Sequence, residues 1–75
     1  MNWREHIVVD PQILHGTACF KGTRIPVAVV LDNLAAGVPE TELRVDYPTL
    51  PAQAIAAAIA YAAELAKEQV LDLPA

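Results

Sequence analysis

Three groups of residues in the chain invite a chemical reading: Cys19 with His6 and His15, the aspartates 10, 32 and 46, and the stretch Phe20-Lys21-Gly22-Thr23-Arg24-Ile25-Pro26-Val27. A zinc site asks for four ligands at recognisable spacing, and Cys19, His6 and His15 offer three scattered candidates with no paired motif. A cysteine nucleophile needs a base and an activating environment, whereas a small thiol between Ala18 and Phe20 reads as buried packing. Asp10, Asp32 and Asp46 stand apart, with no second carboxylate at hand for acid-base work. The chain is therefore expected not to be an enzyme and to hold no metal or cofactor.

The stretch from Phe20 to Val27 joins one aromatic, two cations, a glycine and a proline. A P-loop would need a longer glycine run ending in Lys and Ser or Thr, and here Lys21 precedes a single Gly22. Two readings remain open. In one, Gly22 supplies turn geometry, Phe20 and Ile25 pack on the core, and Lys21 and Arg24 are solvated. In the other, Lys21 and Arg24, together with Arg44, touch nucleic-acid phosphates beside a pair of helices.

The elements that must carry these residues belong to one domain of 75 residues, with a β-rich arm over 1–25 and a helical body and tail over 26–75. A domain this short buries little surface, so association with a partner or a second copy is expected from size. One cysteine rules out an internal disulfide. The sequence shows neither a signal-peptide pattern nor an apolar run that could span a bilayer, so a cytoplasmic protein with no membrane partner is expected. Five Lys and Arg against nine Asp and Glu give a net charge of −4, unsuited to gripping nucleic acid non-specifically and better suited to a basic protein partner.

Ile7-Val8-Val9 is a β-branched run stopped by Asp10-Pro11, which predicts a short strand. Glycines 16 and 22 flank Ala18-Cys19-Phe20, predicting a second extended piece with a tight turn at Lys21-Gly22. Pro26 suits a first helical position, and Val27, Val30, Leu31 and Leu34 share one face until Gly37 offers a left-handed stop. Pro39 opens a second helix that runs to about Asp46, because Pro48 follows Tyr47. Pro51 opens the third and longest, whose inward stripe is expected to be Ile55, Ile59, Ala62, Ala66 and Val70 with Leu65 beside it. Its outward face would then carry Gln53, Ala57, Ala60, Glu64, Lys67 and Glu68. The fold class is α+β, mainly α: a short N-terminal β segment followed by a three-helix body containing a helix-turn-helix.

The order "DPQILHGTACFKGTRIPVAVVLDNLAAGV", then "DYPTL" and "AIAYAAEL", resembles the bacterial and archaeal family catalogued as domain of unknown function 433, regarded as VapB-like antitoxins with a helix-turn-helix. The resemblance runs from about Ile7 to Leu65 and is most specific at Lys21-Gly22-Thr23-Arg24-Ile25-Pro26-Val27, Gly37 and Asp46-Tyr47-Pro48. It implies a small DNA-binding, antitoxin-like protein, often encoded beside a PIN-like nuclease toxin that it would restrain. The sequence departs from that pattern where the family usually has Ser or Thr before each of the last two helices, since Pro39 and Pro51 stand there. Each missing cap is worth about 0.5–2 kcal/mol. The first turns of the third helix present Ala52, Gln53, Ala54, Ala56 and Ala57, of which only Gln53 can read a base edge.

Fourteen alanines, nine of them between Ala52 and Ala66, leave the outward face of that helix open to two readings. Small side chains admit a second helix at close range, or they only supply helix propensity. The tail adds Val70, Leu71 and Leu73, apolar enough to cover the core, pair in a dimer or dock on a partner. The expected DNA contacts are thus Lys21, Arg24, Arg44 and Gln53, and the expected partner interface, in a homodimer or with the nuclease toxin, is Ala57, Ala60, Glu64, Leu71 and Leu73. The alternative is a non-catalytic, non-DNA-binding oligomerisation or adaptor module.

Overall fold

Asn2 begins the ordered architecture by accepting a hydrogen bond from the Arg4 amide on its side chain, which caps a single 3-10 turn over Trp3–Glu5. The structure, a computed structural model, describes residues 1–12 and 14–68. After that turn come β1 (Ile7–Val8), a second 3-10 turn (Leu14–Gly16), β2 (Cys19–Phe20), α1 (Val27–Ala35), α2 (Glu40–Asp46) and α3 (Ala52–Glu68). The expected α+β architecture, mainly helical, is what the chain adopts.

The two strands pair antiparallel with Ile7 opposite Phe20 and Val8 opposite Cys19. Val9, expected to belong to the strand, falls outside it and is 54% exposed. Asp10 is the cause, since its carboxylate accepts the Gln12 amide at 2.9 Å and turns the chain away from the sheet. Phe20 and Cys19 are both buried, the thiol fully so.

Pro26 lies one position before the helix it was expected to begin: it is the N-cap of α1, extended at φ −65° and ψ 140°, and it forms a lone bridge to Cys19. The bond from the Val27 amide to the Ala18 carbonyl, 2.9 Å, ties the helix start to the hairpin. Val27 and Val30 are buried, with Leu31 and Leu34 packed against them. The helix ends in a Schellman motif, in which Val38 N–H bonds Asn33 C=O and Gly37 N–H bonds Leu34 C=O, both at 3.0 Å, with Gly37 at φ 89°.

Pro39 caps α2 without a side-chain acceptor, and its carbonyl instead takes the amides of Glu42 and Leu43 at 3.0 and 3.2 Å. Leu43 points into the core. Tyr47 to Leu50 form the connecting turn, closed by the Leu50 amide on the Tyr47 carbonyl at 3.0 Å and anchored by the buried Leu50.

Helix α3 packs against α1, β1 and the Trp3 turn, and its rotation corrects the expected stripe. Ala54, Ile55, Ala57 and Ala58 are buried, whereas Ile59 is 53% exposed and Ala66 is exposed. The helix is turned by about 100°, one residue's worth, from the expected phase. Alanines at 54, 57 and 58 let its backbone approach α1 and the hairpin closely, and Phe20, Leu43 and Ile55 fill the space around them. None of the helices among the described residues is long and apolar enough to cross a membrane.

Candidate functional site

The turn after β2 holds the first two candidate side chains. Thr23 N–H bonds the Phe20 carbonyl at 3.0 Å with Gly22 at φ 77°, a turn geometry that favours glycine in the third place. The Thr23 hydroxyl donates to the same carbonyl at 2.8 Å and accepts the Ile25 amide at 3.0 Å. Phe20 N–H on the Ile25 carbonyl and Lys21 N–H on the His6 carbonyl, 3.1 and 2.8 Å, fix the two sides. Lys21 and Arg24 are exposed on this frame while Phe20 and Ile25 pack on the core. The Lys21 ammonium reaches the Arg4 carbonyl at 3.5 Å, a long contact that leaves it solvated.

Arg44 and Gln53 lie on α2 and α3. Arg44 is in the last turn of α2, where a cation suits the helix dipole, and Gln53 is in the first turn of α3. Both are exposed, on either side of the Tyr47–Leu50 turn. Leu43 before the turn and Leu50 within it are buried, so the core holds the connection while Arg44 and Gln53 face solvent.

The expected partner surface is divided by the rotation of α3. Ala57 is 0% exposed and therefore belongs to the core of the chain rather than to its outward face, while Ala60 is half-buried. The alanines that do face outward are Ala56, Ala63 and Ala66, with Ile59 among them. Leu71 and Leu73 lie outside the described residues.

Glu64 is engaged within the chain, by residues the sequence reading passed over. Trp3 lies edge-on to Tyr61, with ring centroids 4.8 Å apart and planes at 76°, and its indole N–H donates to the Glu64 carboxylate. Arg4 bonds the other carboxylate oxygen at 3.3 Å and lies 4.4 Å over the Trp3 ring. The indole hydrogen bond, followed by the Arg4 charge, holds the Glu64 carboxyl below the ordinary carboxylate value. Asn2 and Glu5, three apart around an aromatic, carried the spacing of a capped turn, which was the one available signal.

Among the described residues no group of three or more His, Cys, Asp and Glu stands close enough to hold a metal ion. Residues 7–62 match the family described as Protein of unknown function (DUF433). A crystal structure of a DUF433 member from Anabaena variabilis ATCC 29413, at 2.00 Å resolution, is similar, with 32% sequence identity and a TM-score of 0.76. The similarity covers 83% of this chain and 61% of that one, so the present chain spans about three fifths of that protein's length. No curated protein matches the chain. The family match takes in Lys21, Arg24, Arg44 and Gln53 and stops short of Trp3, Arg4 and Glu64. By that match, which extends from β1 through most of α3, the chain belongs to the DUF433 family.

Proposed function

We propose that this chain is a non-catalytic, antitoxin-like regulatory protein of the cytoplasm, binding operator DNA through α2 and α3 and restraining a PIN-like nuclease toxin. The observation that carries the DNA half is the junction of the two helices. A seven-residue helix, a turn anchored by Leu50 and a long helix follow in helix-turn-helix order, with Arg44 and Gln53 exposed on either side. Arg44 would neutralise a phosphate and Gln53 would meet a base edge. The nuclease half rests on the resemblance and on the net charge of −4, which suits a basic partner.

Fluorescence anisotropy with a duplex from the chain's own promoter tests the DNA half. Binding should be modest at about 50 mM salt and much weaker at about 200 mM, because the affinity comes from phosphate contacts. Arg44→Ala should weaken binding to all sequences alike, and Gln53→Ala should blur preference at one position. Co-purification with the nuclease encoded beside it tests the other half, and a nuclease that neither binds nor is inhibited would remove it.

A second reading is favoured by the outward face of α3. Ala56, Ile59, Ala63 and Ala66 recur at the three-and-four spacing of a helix-packing seam and carry no charge. In that reading the chain is an oligomerisation or adaptor module, homodimeric through α3. Ile59→Glu should then abolish a concentration-dependent melt without unfolding the monomer.

A further inference from the structure

The Lys21–Arg24 turn differs electrostatically from the rest of the chain. Between Asp10 and Asp32 the sequence contains no Asp or Glu, although the whole chain carries nine against five Lys and Arg. The ion pair found among the described residues joins Arg4 to Glu64, so Lys21 and Arg24 share one turn with no carboxylate partner there.

The backbone of the turn is equally open. Lys21, Thr23 and Ile25 donate their amides to protein acceptors, whereas the N–H groups of Gly22 and Arg24 meet none among the described residues. A Cβ placed on Gly22 would have nothing within 4 Å, so a ligand can approach the main chain at the tip. The base of the turn is held by the Thr23 hydrogen bonds, the bond from Phe20 to Ile25 and the buried Phe20 ring. A tip already ordered in this way loses little further entropy on binding.

We infer that the Lys21–Arg24 turn is an oxyanion-contact site that takes phosphodiester groups of duplex DNA. Lys21 and Arg24 supply the positive charge, and the amides of Gly22 and Arg24 supply donors whose direction is fixed by the turn. The site stands apart from Arg44 and Gln53 in sequence and element, and adds a sequence-independent grip to their proposed base and phosphate contacts. It rests on the DNA reading for the source of its phosphate. A free phosphate ion offers the same chemistry.

Two titrations of nitrogen-15-labelled protein separate those sources, one with inorganic phosphate at constant ionic strength and one with promoter duplex. The Gly22 and Arg24 amide resonances should move in both, and removing both cations in K21A/R24A should suppress the movement. Two phosphate contacts correspond to a salt slope of about 1.8, so K21A/R24A should lose about a twelvefold part of the decline in duplex affinity between about 50 and 200 mM salt. Amides that stay still with phosphate and with duplex overturn the inference. A duplex bound by K21A/R24A with the parental salt slope overturns it also, and leaves the α2–α3 reading intact. Amides that move with phosphate while no duplex binds uphold the oxyanion site and overturn the DNA reading.

Discussion

Adjacent alanines in α3 should respond very unequally to the same substitution. Ala57 is fully buried beside Ala54, Ile55 and Ala58, whereas Ala56 faces solvent. Ala57→Glu inserts three further heavy atoms beyond a methylene into a filled core and places a carboxylate where no cation waits. Overpacking costs about 1–3 kcal/mol, and an unpaired buried charge several more unless it is protonated. Against a total stability of about 4–11 kcal/mol for a domain of this length, a loss of at least about 3 kcal/mol is expected. At about 4–8 °C per kcal/mol, that is a fall in melting temperature of more than about 12 °C. Ala56→Glu should stay within about 0.5 kcal/mol, or about 4 °C, of the parent. Thermal melts followed by helical circular dichroism, at two protein concentrations, make the comparison. Equal melting temperatures, or Ala56→Glu as the more damaging change at low concentration, would refute the rotation of α3. A deficit of Ala56→Glu confined to high concentration would instead place a second copy on that face.

Three further outcomes follow from other parts of the fold. Because the native Glu64 carboxyl has a lowered pKa, its contribution is present above the ordinary carboxylate value and is lost as pH falls through the native value. Emission from Trp3, the sole tryptophan, should change as acid is added below the ordinary carboxylate value, and Glu64→Gln should flatten that transition; an unaltered acid transition would sever the link. Gly37→Ala forces an alanine to φ 89° with open space around its methyl group, so urea denaturation should show a loss of about 1 kcal/mol from backbone conformation alone, and a neutral result would mean another helix end. Cys19 is fully buried, so a thiol reagent should label native protein only as fast as the chain opens, and rapid labelling would contradict its buried place in β2.

Punctuation made most of the backbone legible. Pro26, Pro39 and Pro51 each stand one residue before a helix, Gly37 terminates α1, Gly22 takes the turn, and each acts through its own φ preference with no distant partner. The phase of α3 was hidden for the opposite reason. With nine alanines in the segment the helix has little contrast between its faces, and of its large aliphatic residues Ile55 packs in the core while Ile59 and Leu65 are exposed. The choice is made by the shapes of α1 and the hairpin, which a local pattern does not contain. The cations at 21, 24 and 44 and Gln53 were legible as exposed polar positions. The engagement of Glu64 was not, because Trp3 and Arg4 lie 61 and 60 residues before it.

The docking of Trp3 on α3 also sets an order of events during synthesis. The arm leaves the ribosome before α3, yet its aromatic partner Tyr61 and its acceptor Glu64 both lie on that later helix. At about 5–20 residues per second, the 61 residues from Arg4 through Glu64 take about 3–12 s to add. Throughout that interval the indole has neither Tyr61 nor Glu64 to meet, while the hairpin and α1, whose contacts are local, can already assemble. Arm docking therefore waits on the synthesis of α3, and a nascent chain halted before Tyr61 would present Trp3 to whatever apolar surface, including that of a chaperone, lies nearest.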